Sequence, residues 1–483
     1  LSSLIGMCTT SVVRYRANDL CFRMNATINL SPVRMLCQSA FAKFSITSCA
    51  KSQSVTVLPS SKDSSTASAV KEIRSSANVL VTEQRADVPT VARNIANERK
   101  DNESSFMIYN LDALYDRYKL WMRELPQVEP FYAVKCNSDE MILRTLASLG
   151  TGFDCASRVE MDSVLRLGVA PERIIFAHPC KPHSFISHAS QMGVGVMTFD
   201  NPEELEKVAS HHKRPKLILR IATSDQTAKN RLSMKFGADH ELTAPNMLHR
   251  AADMGIPIVG ISFHVGNGCN DPAAYHTAIN HSRTLFDIGR SLGHNMELVD
   301  VGGGYPGDDQ HPTTFEKIAA VIRSALEQYF PERDKIRIIG EPGRFFAMKT
   351  CSLVTSVMAR AVVSAYRITK NTNFMKMNGY MYYMNDGVFG SFSNNISYDE
   401  RPSGKPLFER EGELYPSIIW GPTCDCIDKI EDNKMMRALD VGESLIYKDM
   451  GAYTSVLATS FNGFPRATPI YMISKGTWQA CGF

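Results

Sequence analysis

The sequence predicts an α/β fold in which a (β/α)8 barrel of TIM type precedes a C-terminal β domain of sandwich or barrel type. Three observations support this prediction: eight short apolar runs rich in Val, Ile and Phe, helix-length stretches between them, and closely spaced β-rich segments after residue 350. Such runs are typical of parallel strands joined by crossover helices, and eight of these units close into a barrel. The eight runs are 131–135, 152–156, 174–178, 195–199, 217–221, 258–264, 297–301 and 336–341.

The composition narrows the classes of function. The chain has 483 residues, of which 44% are hydrophobic and 21% charged, and its net charge is +3. This charge is too small to favour nucleic acid or an anionic membrane, and no apolar run approaches the roughly 18 residues that span a bilayer. Twelve cysteines stand at scattered spacings without a C-x-x-C pair, which favours neither a metal site nor a disulfide framework. We therefore expect a cytoplasmic protein with reduced thiols.

The chain divides into four parts. Residues 1–75 form a basic, Ser-rich and acid-poor segment, which is typical of an organelle-targeting peptide and equally of a disordered tail or translated upstream sequence. We expect residues 76–110 to contribute a strand to the β domain, with Asn110 as the N-cap of the helix that follows. The barrel is expected over 111–348 and the β domain over 349–483. The β-rich segments of that domain are 352–363, 380–383, 417–420 and 443–447.

Nearly every barrel run ends in a residue that can take part in chemistry. The carboxyl ends of barrel strands all lie at one face, where barrel enzymes hold their active sites. We therefore expect these end residues to meet in one pocket. They are Lys135, Asp154, His178, Arg220, His264, Gly302, Gly303, Gly304 and Glu341.

Lys135 and two glycine loops indicate a cofactor. A lysine at a strand end either reaches solvent or, when partial desolvation lowers its pKa, forms a Schiff base with an aldehyde. The glycines 302–304 follow the seventh run, and Gly343 and Arg344 follow the eighth, at the positions where barrels commonly bind phosphate. A glycine run by itself could equally be a tight turn. A Schiff-base lysine and a phosphate loop in one barrel mouth together indicate pyridoxal phosphate.

Other candidate residues gain a role from this cofactor. Glu341 would face its ring nitrogen and His264 would stack on its ring, while an ion pair of Glu341 with Arg344 and a structural histidine are the alternatives. In the β domain, Cys424 and Asp425 stand side by side in a turn. Taken alone they are typical of a buried cysteine and a turn-forming aspartate.

These segments together resemble the eukaryotic ornithine decarboxylase family of the fold-type III pyridoxal-phosphate decarboxylases. The resemblance runs from about residue 106 to about residue 465, and its motifs are specific in combination. They are Pro-Phe-Tyr-Ala-Val-Lys-Cys-Asn, Phe-Asp-Cys-Ala-Ser, His-Val-Gly-x-Gly-Cys, Gly-Gly-Gly-Tyr-Pro-Gly, Gly-Glu-Pro-Gly-Arg, Trp-Gly-Pro-Thr-Cys-Asp and Asp-Met-Gly-Ala-Tyr-Thr.

The resemblance implies that pyridoxal 5'-phosphate is the cofactor, without a metal, and that ornithine is converted to putrescine and carbon dioxide. Lys135 would bind the cofactor covalently, and Glu341 would contact its ring nitrogen. The other residues expected around the cofactor are Asp154, Glu160, Arg220, His264, Asn267, Gly302, Gly303, Gly304, Gly343, Arg344 and Tyr453.

The resemblance also implies a head-to-tail homodimer whose active sites are shared between subunits. Cys424 of one subunit would protonate the α-carbon in the other subunit's site. Asp399 and Asp425 would hold the distal ammonium of the substrate, and Phe461 would lie near it. The residues expected to pair across the interface are Lys235 and Asp428.

Two positions depart from the family pattern. Asn267 stands where a serine usually contacts the phosphate, and Cys426 replaces a usual glycine. Because an asparagine amide can still donate a hydrogen bond, we expect altered cofactor contact rather than its loss.

Two other functions remain open. One is an inactive protein like the antizyme inhibitors, although the cofactor motifs all remain here. The other is a decarboxylase of lysine or another basic amino acid. Residues 181–210 match the segment through which the animal enzymes bind antizyme, although a simple barrel helix and strand would look similar.

Overall fold

The computed structural model describes residues 79–99, 104–223, 232–332, 335–398 and 401–483, so the predictions for residues 1–75 lie outside the described part of the chain. The strands are β1 (Val79–Thr82), β2 (Phe106–Asn110), β3 (Glu129–Ala133), β4 (Gly152–Cys155), β5 (Ile174–Phe176), β6 (Val196–Phe199), β7 (Lys216–Ile221), β8 (Ile258–Phe263), β9 (Leu298–Asp300), β10 (Arg337–Gly340), β11 (Cys351–Ser364), β12 (Asn378–Met384), β13 (Lys405–Pro406), β14 (Leu414–Trp420), β15 (Lys429–Arg437), β16 (Ser444–Tyr447) and β17 (Thr468–Ser474). The helices are α1 (Val88–Glu98), α2 (Leu111–Glu124), α3 (Glu140–Ser148), α4 (Arg158–Leu165), α5 (His183–Met192), α6 (Pro202–His211), α7 (Thr243–Asp253), α8 (Ala273–Ser291), α9 (Phe315–Tyr329), α10 (Arg344–Ala347), α11 (Ala365–Thr369), α12 (Asn394–Ser397) and α13 (Lys475–Ala480).

The strands β3 to β10 form the predicted closed parallel barrel. Each pairs with the next in chain order, and β10 closes the ring by pairing with β3. All eight apolar runs are confirmed as strands. Several runs extend one or two residues beyond the strand they contain, so Lys135, His178, His264 and Glu341 lie just past a strand end.

Two of the helices begin at asparagine N-caps that are visible in the sequence. The Asn110 side chain accepts hydrogen bonds from the backbone N–H groups of Asp112 and Ala113, so the predicted N-cap of α2 is confirmed. Asn201 caps α6 in the same way, and Pro202 is its first residue.

An apolar layer fills the inside of the barrel below the strand ends. It takes one large side chain from each of six strands, and all six are buried. The polar residues at the carboxyl ends of the strands lie beyond this layer, at the mouth of the barrel. Its members are Phe131, Ile175, Ile218, Val259, Leu298 and Ile339.

The β domain is a nine-stranded mixed sheet. Its main path runs β1-β17-β2-β11-β12-β14-β15, while β16 pairs with β11 and, in turn, with β13. The long strand β11 pairs with β2 and β16 over its first half and with β12 over its second half. The segment before the barrel supplies β1 and β2, which is one strand more than the sequence predicted. No helix in the described part of the chain is long and apolar enough to cross a membrane.

Candidate active site

A cavity of about 270 Å³ opens at the carboxyl ends of the barrel strands. Most of the residues predicted at strand ends line it, together with two tyrosines that follow the barrel in the chain. The lining residues are Ala133, Lys135, Asp154, Ala156, Ala177, His178, Pro179, Arg220, Phe236, His264, Asn267, Gly304, Tyr305, Glu341, Gly343, Arg344, Tyr398 and Tyr453.

Lys135 and Asp154 form an ion pair in this cavity. Lys135 lies in the helical turn Val134–Cys136 directly after β3, and its Nζ contacts the Asp154 carboxylate. The Lys135 side chain is 40% exposed to the cavity, whereas Asp154 is fully buried. Burial alone would lower the pKa of Lys135, but the carboxylates of Asp154 and Glu341 raise it above its usual value. The sequence predicted a lowered pKa for the Lys135 amine, and this prediction is therefore wrong.

Glu341 is buried beside a second carboxyl group, that of Asp300. Burial, and then the proximity of Asp300, raise the pKa of Glu341 well above its usual range. Burial likewise raises the pKa of Asp300 to about 7. Among the described residues, Glu341 Oε1 and Asp154 Oδ1 have no hydrogen-bond partner. Two buried carboxylate oxygens of cavity residues thus have no hydrogen-bond partner among the described residues.

His264 is held as a neutral ring. Its Nδ1 accepts a hydrogen bond from the Gly266 N–H at 3.0 Å, which leaves the proton of the neutral ring on Nε2. Burial, with added repulsion from Arg220 and Lys135, keeps the pKa of His264 well below its usual value. A Cβ on Gly303 would lie 2.8 Å from His264 Nε2, so a glycine there leaves room for the ring.

The glycine loop after β9 requires two of its glycines for backbone reasons. Gly302 has a φ of +65°, and a Cβ on it would lie 1.9 Å from the Phe263 carbonyl oxygen. Gly304 has a φ of +109°, a conformation that other residues rarely adopt. The loop therefore keeps its backbone close to the cavity wall.

Arg344 brings positive charge to the side of the cavity near Gly304. Its Nε donates to Asn267 Oδ1 at 3.3 Å, and its guanidinium lies 5.3 Å from the ring centre of Tyr453. The Tyr453 N–H in turn donates to the Cys136 carbonyl, next to Lys135 in the chain. A loop of the β domain is thus bonded to the turn that carries Lys135.

The predicted substrate residues lie elsewhere in this chain. Cys424, Asp425 and Phe461 are absent from the cavity lining. Cys424 is exposed in a turn, where its N–H donates to Asn462 Oδ1, and Phe461 packs on Phe389 with ring centres 4.6 Å apart. These residues form a second cluster in the β domain, which the barrel of the same chain does not use.

Two further predictions concern the region of that cluster. Asp399 lies outside the described residues. Asp428 is 1% exposed and accepts hydrogen bonds from Val388 and Thr423 of its own chain. Its pairing with Lys235 across an interface stays a prediction.

The sequence interpretation missed four aromatic or acidic residues of the site region. Tyr305, Phe236 and Tyr398 line the cavity, and Asp300 contacts Glu341. Asp300 had a visible signal, because it is a charged residue inside an apolar run directly before the glycines. Phe236 and Tyr398 lie in irregular segments, where no periodicity predicts which way a side chain points.

The residues present fit pyridoxal phosphate. Lys135 offers an amine for its aldehyde, and the unpartnered oxygen of Glu341 offers an acceptor for a protonated ring nitrogen. Arg344, Asn267 and the glycine backbone offer the donors and small residues that a phosphate requires. The cavity volume of about 270 Å³ is close to that of small-ligand sites.

Comparisons with known proteins agree with this fit. Residues 111–348 match the family model described as "Pyridoxal-dependent decarboxylase, pyridoxal binding domain". An ornithine decarboxylase of Caenorhabditis elegans is 50% identical over 413 residues, which cover 85% of this chain and 97% of that protein. Antizyme inhibitor 2 of Xenopus laevis is 40% identical over 392 residues, covering 80% and 85%. The crystal structure of the Paramecium bursaria Chlorella virus arginine decarboxylase is 36% identical, with a TM-score of 0.74, and the match covers 80% of this chain and all of that one.

Replacing Asp154 tests the electrostatic state of Lys135. In the Asp154→Asn variant the pKa of Lys135 should fall, by about 1 to 3 units, because a stabilising charge is lost while burial stays. The measurement is the pH dependence of amine-specific labelling of Lys135 in protein without added ligand, read by peptide mass spectrometry. The midpoint should move to lower pH in Asp154→Asn.

A matched control uses a carboxylate away from the cavity. Asp162 on α4 pairs with Arg158 of the same helix and with His188 of α5, so Asp162→Asn should leave the labelling midpoint of Lys135 unchanged. An unchanged midpoint in Asp154→Asn itself would contradict the assignment.

Proposed function

The chain belongs to the family of pyridoxal-dependent decarboxylases, and from that membership we propose that it removes the carboxyl group of L-ornithine as carbon dioxide and leaves putrescine. The identities of 40% and more to curated relatives, over more than three quarters of the chain, support this activity. Putrescine formation would make it an enzyme of polyamine biosynthesis.

One observation carries the proposal: Lys135, Asp154 and Glu341 meet in a single cavity at the barrel mouth. The amine and the two carboxylates come from three different strand ends. An ordinary surface ion pair would not leave two buried carboxylate oxygens without partners. The arrangement suits a ligand that has an aldehyde and a protonated nitrogen.

Pyridoxal phosphate, when bound, supplies an aldehyde that bonds to amines and an electron-poor ring that accepts the electron pair left by departing carbon dioxide. Lys135 would hold the aldehyde carbon until the substrate amine replaces it. Glu341 would accept the hydrogen bond of the ring nitrogen and keep a proton there, which preserves the electron-accepting ring. His264, neutral at working pH, would lie against the ring without adding charge.

The phosphate would be held by Arg344, which supplies positive charge to the cavity. Gly304, Gly343, Asn267 and Tyr453 also line the cavity and are its other proposed contacts. Because Asn267 Oδ1 accepts from Arg344, the Asn267 amide NH2 remains as a donor, and the arginine is held in place. The remaining proposed cofactor contacts are Asp154, Arg220, Gly302 and Gly303.

The substrate end of the site would come from a second copy of the chain. Cys424 of the partner subunit would give a proton to the α-carbon after carbon dioxide leaves. The partner's Asp425 and Asp399 would hold the distal ammonium, because a cation enclosed in a site requires opposite charge. The exposure of Cys424 outside its own cavity supports this division. We accordingly propose a head-to-tail homodimer with shared sites.

An inactive, antizyme-inhibitor-like role is the second candidate, because antizyme inhibitor 2 is among the similar proteins. We favour the enzyme because the amine, the phosphate arginine and the thiol are all present, as Lys135, Arg344 and Cys424.

Antizyme binding is a separate proposal about a partner. Within 181–210, Lys181 is buried against Glu204 and cannot reach a partner. Apart from Pro182 and Gly193, the exposed positions of this segment lie on α5 and α6, and they include Glu203 and Glu206. A partner would therefore meet the outer faces of these two helices.

Two further proposals concern location and domain division. We propose a cytoplasmic location, which is supported by the absence of a disulfide at any of the eight described cysteines. The division into a barrel over 111–348 and a β domain over 349–483 is supported by the span of the family model.

The activity is tested with carboxyl-labelled amino acids. Purified protein with pyridoxal phosphate should release labelled carbon dioxide from ornithine faster than from lysine or arginine, and Lys135→Ala should release none. Release from lysine or arginine alone would overturn the choice of substrate. Release from none, with cofactor absorbance showing that the site is loaded, would favour the inactive alternative.

The shared site is tested by mixing two impaired variants, Lys135→Ala and Cys424→Ala. If each site uses both subunits, random exchange should restore about a quarter of the normal activity, since half of the dimers regain one of two sites. Cys426→Ala, in the same turn, is the matched control and should keep full activity. A mixture that exchanges subunits, as shown by differently tagged chains, yet stays inactive would contradict a shared site.

The partner proposal is tested by pull-down with purified antizyme. The chain should retain antizyme, and the double variant Glu203→Lys, Glu206→Lys should retain at least about tenfold less, because reversed charges repel at an interface. Glu241→Lys, exposed elsewhere on the barrel, serves as the control. Failure of the unmodified chain to retain antizyme would refute binding.

A further inference from the structure

Asp300 is a buried carboxyl group that the proposed mechanism leaves without a role. It ends β9, directly before the glycine loop, and is 1% exposed. Its Oδ1 accepts the Gly302 N–H at 2.8 Å, while Oδ2 has no partner among the described hydrogen-bonding atoms. A buried oxygen without a partner is costly, so its surroundings require an explanation.

Glu341 lies beside Asp300 and, like Asp300, forms a hydrogen bond with Gly302. The Glu341 N–H donates to the Gly302 carbonyl at 2.6 Å, so both acids are bonded to the same glycine. Asp300 pairs with Ile339 of the neighbouring strand β10, two residues before Glu341, and the two carboxyl groups act on each other as hydrogen-bonding neighbours. Two ionised carboxylates have no hydrogen to share, whereas one proton between them supplies a donor and an acceptor.

The neighbouring groups leave this pair with an uncompensated charge. Asp154 adds a further negative charge, but it is paired with Lys135. Arg220 is the remaining cation that faces both acids, and the buried Tyr305 hydroxyl is neutral because burial raises its pKa. With two carboxylates facing one guanidinium, retaining a proton is the less costly state.

We propose that Asp300 is a positioning residue that shares one proton with Glu341 and thereby fixes the glutamate that faces the cofactor ring nitrogen. This inference rests on the proposed function only in assigning Glu341 to that nitrogen. The same carboxyl group fixes Gly302, so Asp300 aligns the ring acid and the glycine loop together.

The shared proton gives a defined dependence on pH. The pKa of Asp300 is raised to about 7, so the folded chain keeps a proton that an unfolded aspartate loses near pH 4. The part of the stability of the cofactor-free chain that Asp300 contributes should therefore fall as pH rises from about 4 to about 7 and be lost above that range, whereas Glu341, whose pKa is also raised, still holds a proton there. Asp300→Asn removes this titration while its amide can still accept from Gly302 and donate to Glu341.

The first test is infrared difference spectroscopy of the full cofactor-free chain between pH 5 and pH 8. The wild-type chain should lose a protonated-carboxyl band as pH rises, and Asp300→Asn should lack that change. Asp386 is also buried, and burial raises its pKa, so it can contribute to the same band. The Asp386→Asn variant shows how much of the band belongs to Asp386. An unchanged Asp300→Asn difference spectrum would overturn the shared proton.

The second test measures binding of pyridoxal phosphate by absorbance at pH 7. Asp300→Asn should bind within about threefold of wild type. Asp300→Leu removes the acceptor of the Gly302 N–H and the neighbour of the Glu341 carboxyl, and should bind about 10- to 100-fold more weakly. If Asp300→Leu fails to fold, two measurements on Asp300→Asn still test the shared proton. They are its infrared difference spectrum and its melting temperature, which should depend less on pH than that of the wild type. Equal affinity of Asp300→Leu and wild type would contradict the positioning role.

These measurements use no amino acid substrate, so they separate the two conclusions. A chain that decarboxylates no amino acid can still show the shared proton, and an active chain can lack it.

Discussion

The structure depends on how the barrel mouth accommodates an excess of buried negative charge. Asp154, Asp300 and Glu341 are each less than a tenth exposed, and Lys135 and Arg220 are the cations that act on them. Burying an uncompensated carboxylate costs several kcal/mol, so each acid there requires a cation or a proton. Three features follow from this constraint: the ion pair of Lys135 with Asp154, the high pKa values of Asp300 and Glu341, and the suitability of the cavity for a cationic ring nitrogen.

Much of the architecture and part of the site could be predicted because they depend on periodicity alone. Eight apolar runs separated by helix-length stretches have few arrangements other than a parallel barrel. Once the strands are parallel, their carboxyl ends share one face, so Lys135, Asp154 and Glu341 had to be neighbours although about 200 positions separate the first and last of them. The N-cap at Asn110 was predictable for a similar reason, since capping acts within a few residues.

The remaining features depend on side-chain direction and on docking, which a sequence pattern does not specify. Asp300 was not assigned a role because a period of two does not say whether a carboxyl group meets another on the neighbouring strand. Tyr398 reaches the cavity from an irregular segment after the barrel. The pKa of Lys135 was predicted in the wrong direction, because the pattern indicated burial but not that two carboxylates surround the amine. The roles assigned to Cys424 and Asp425 stay predictions for a second subunit.

The pairing of β1 and β2 with β17 has a consequence for biosynthesis. Thr82 in β1 and Ile473 in β17 stand 391 positions apart, and β17 is the one partner of β1 among the described strands. A ribosome that adds about 5 to 20 residues per second takes roughly 20 to 80 s to cover this distance. During that time the nascent chain carries an unpaired strand whose edge can bind other chains. Chaperone protection is therefore most important before the last strand emerges, and a chain that stalls short of β17 becomes a substrate for quality control.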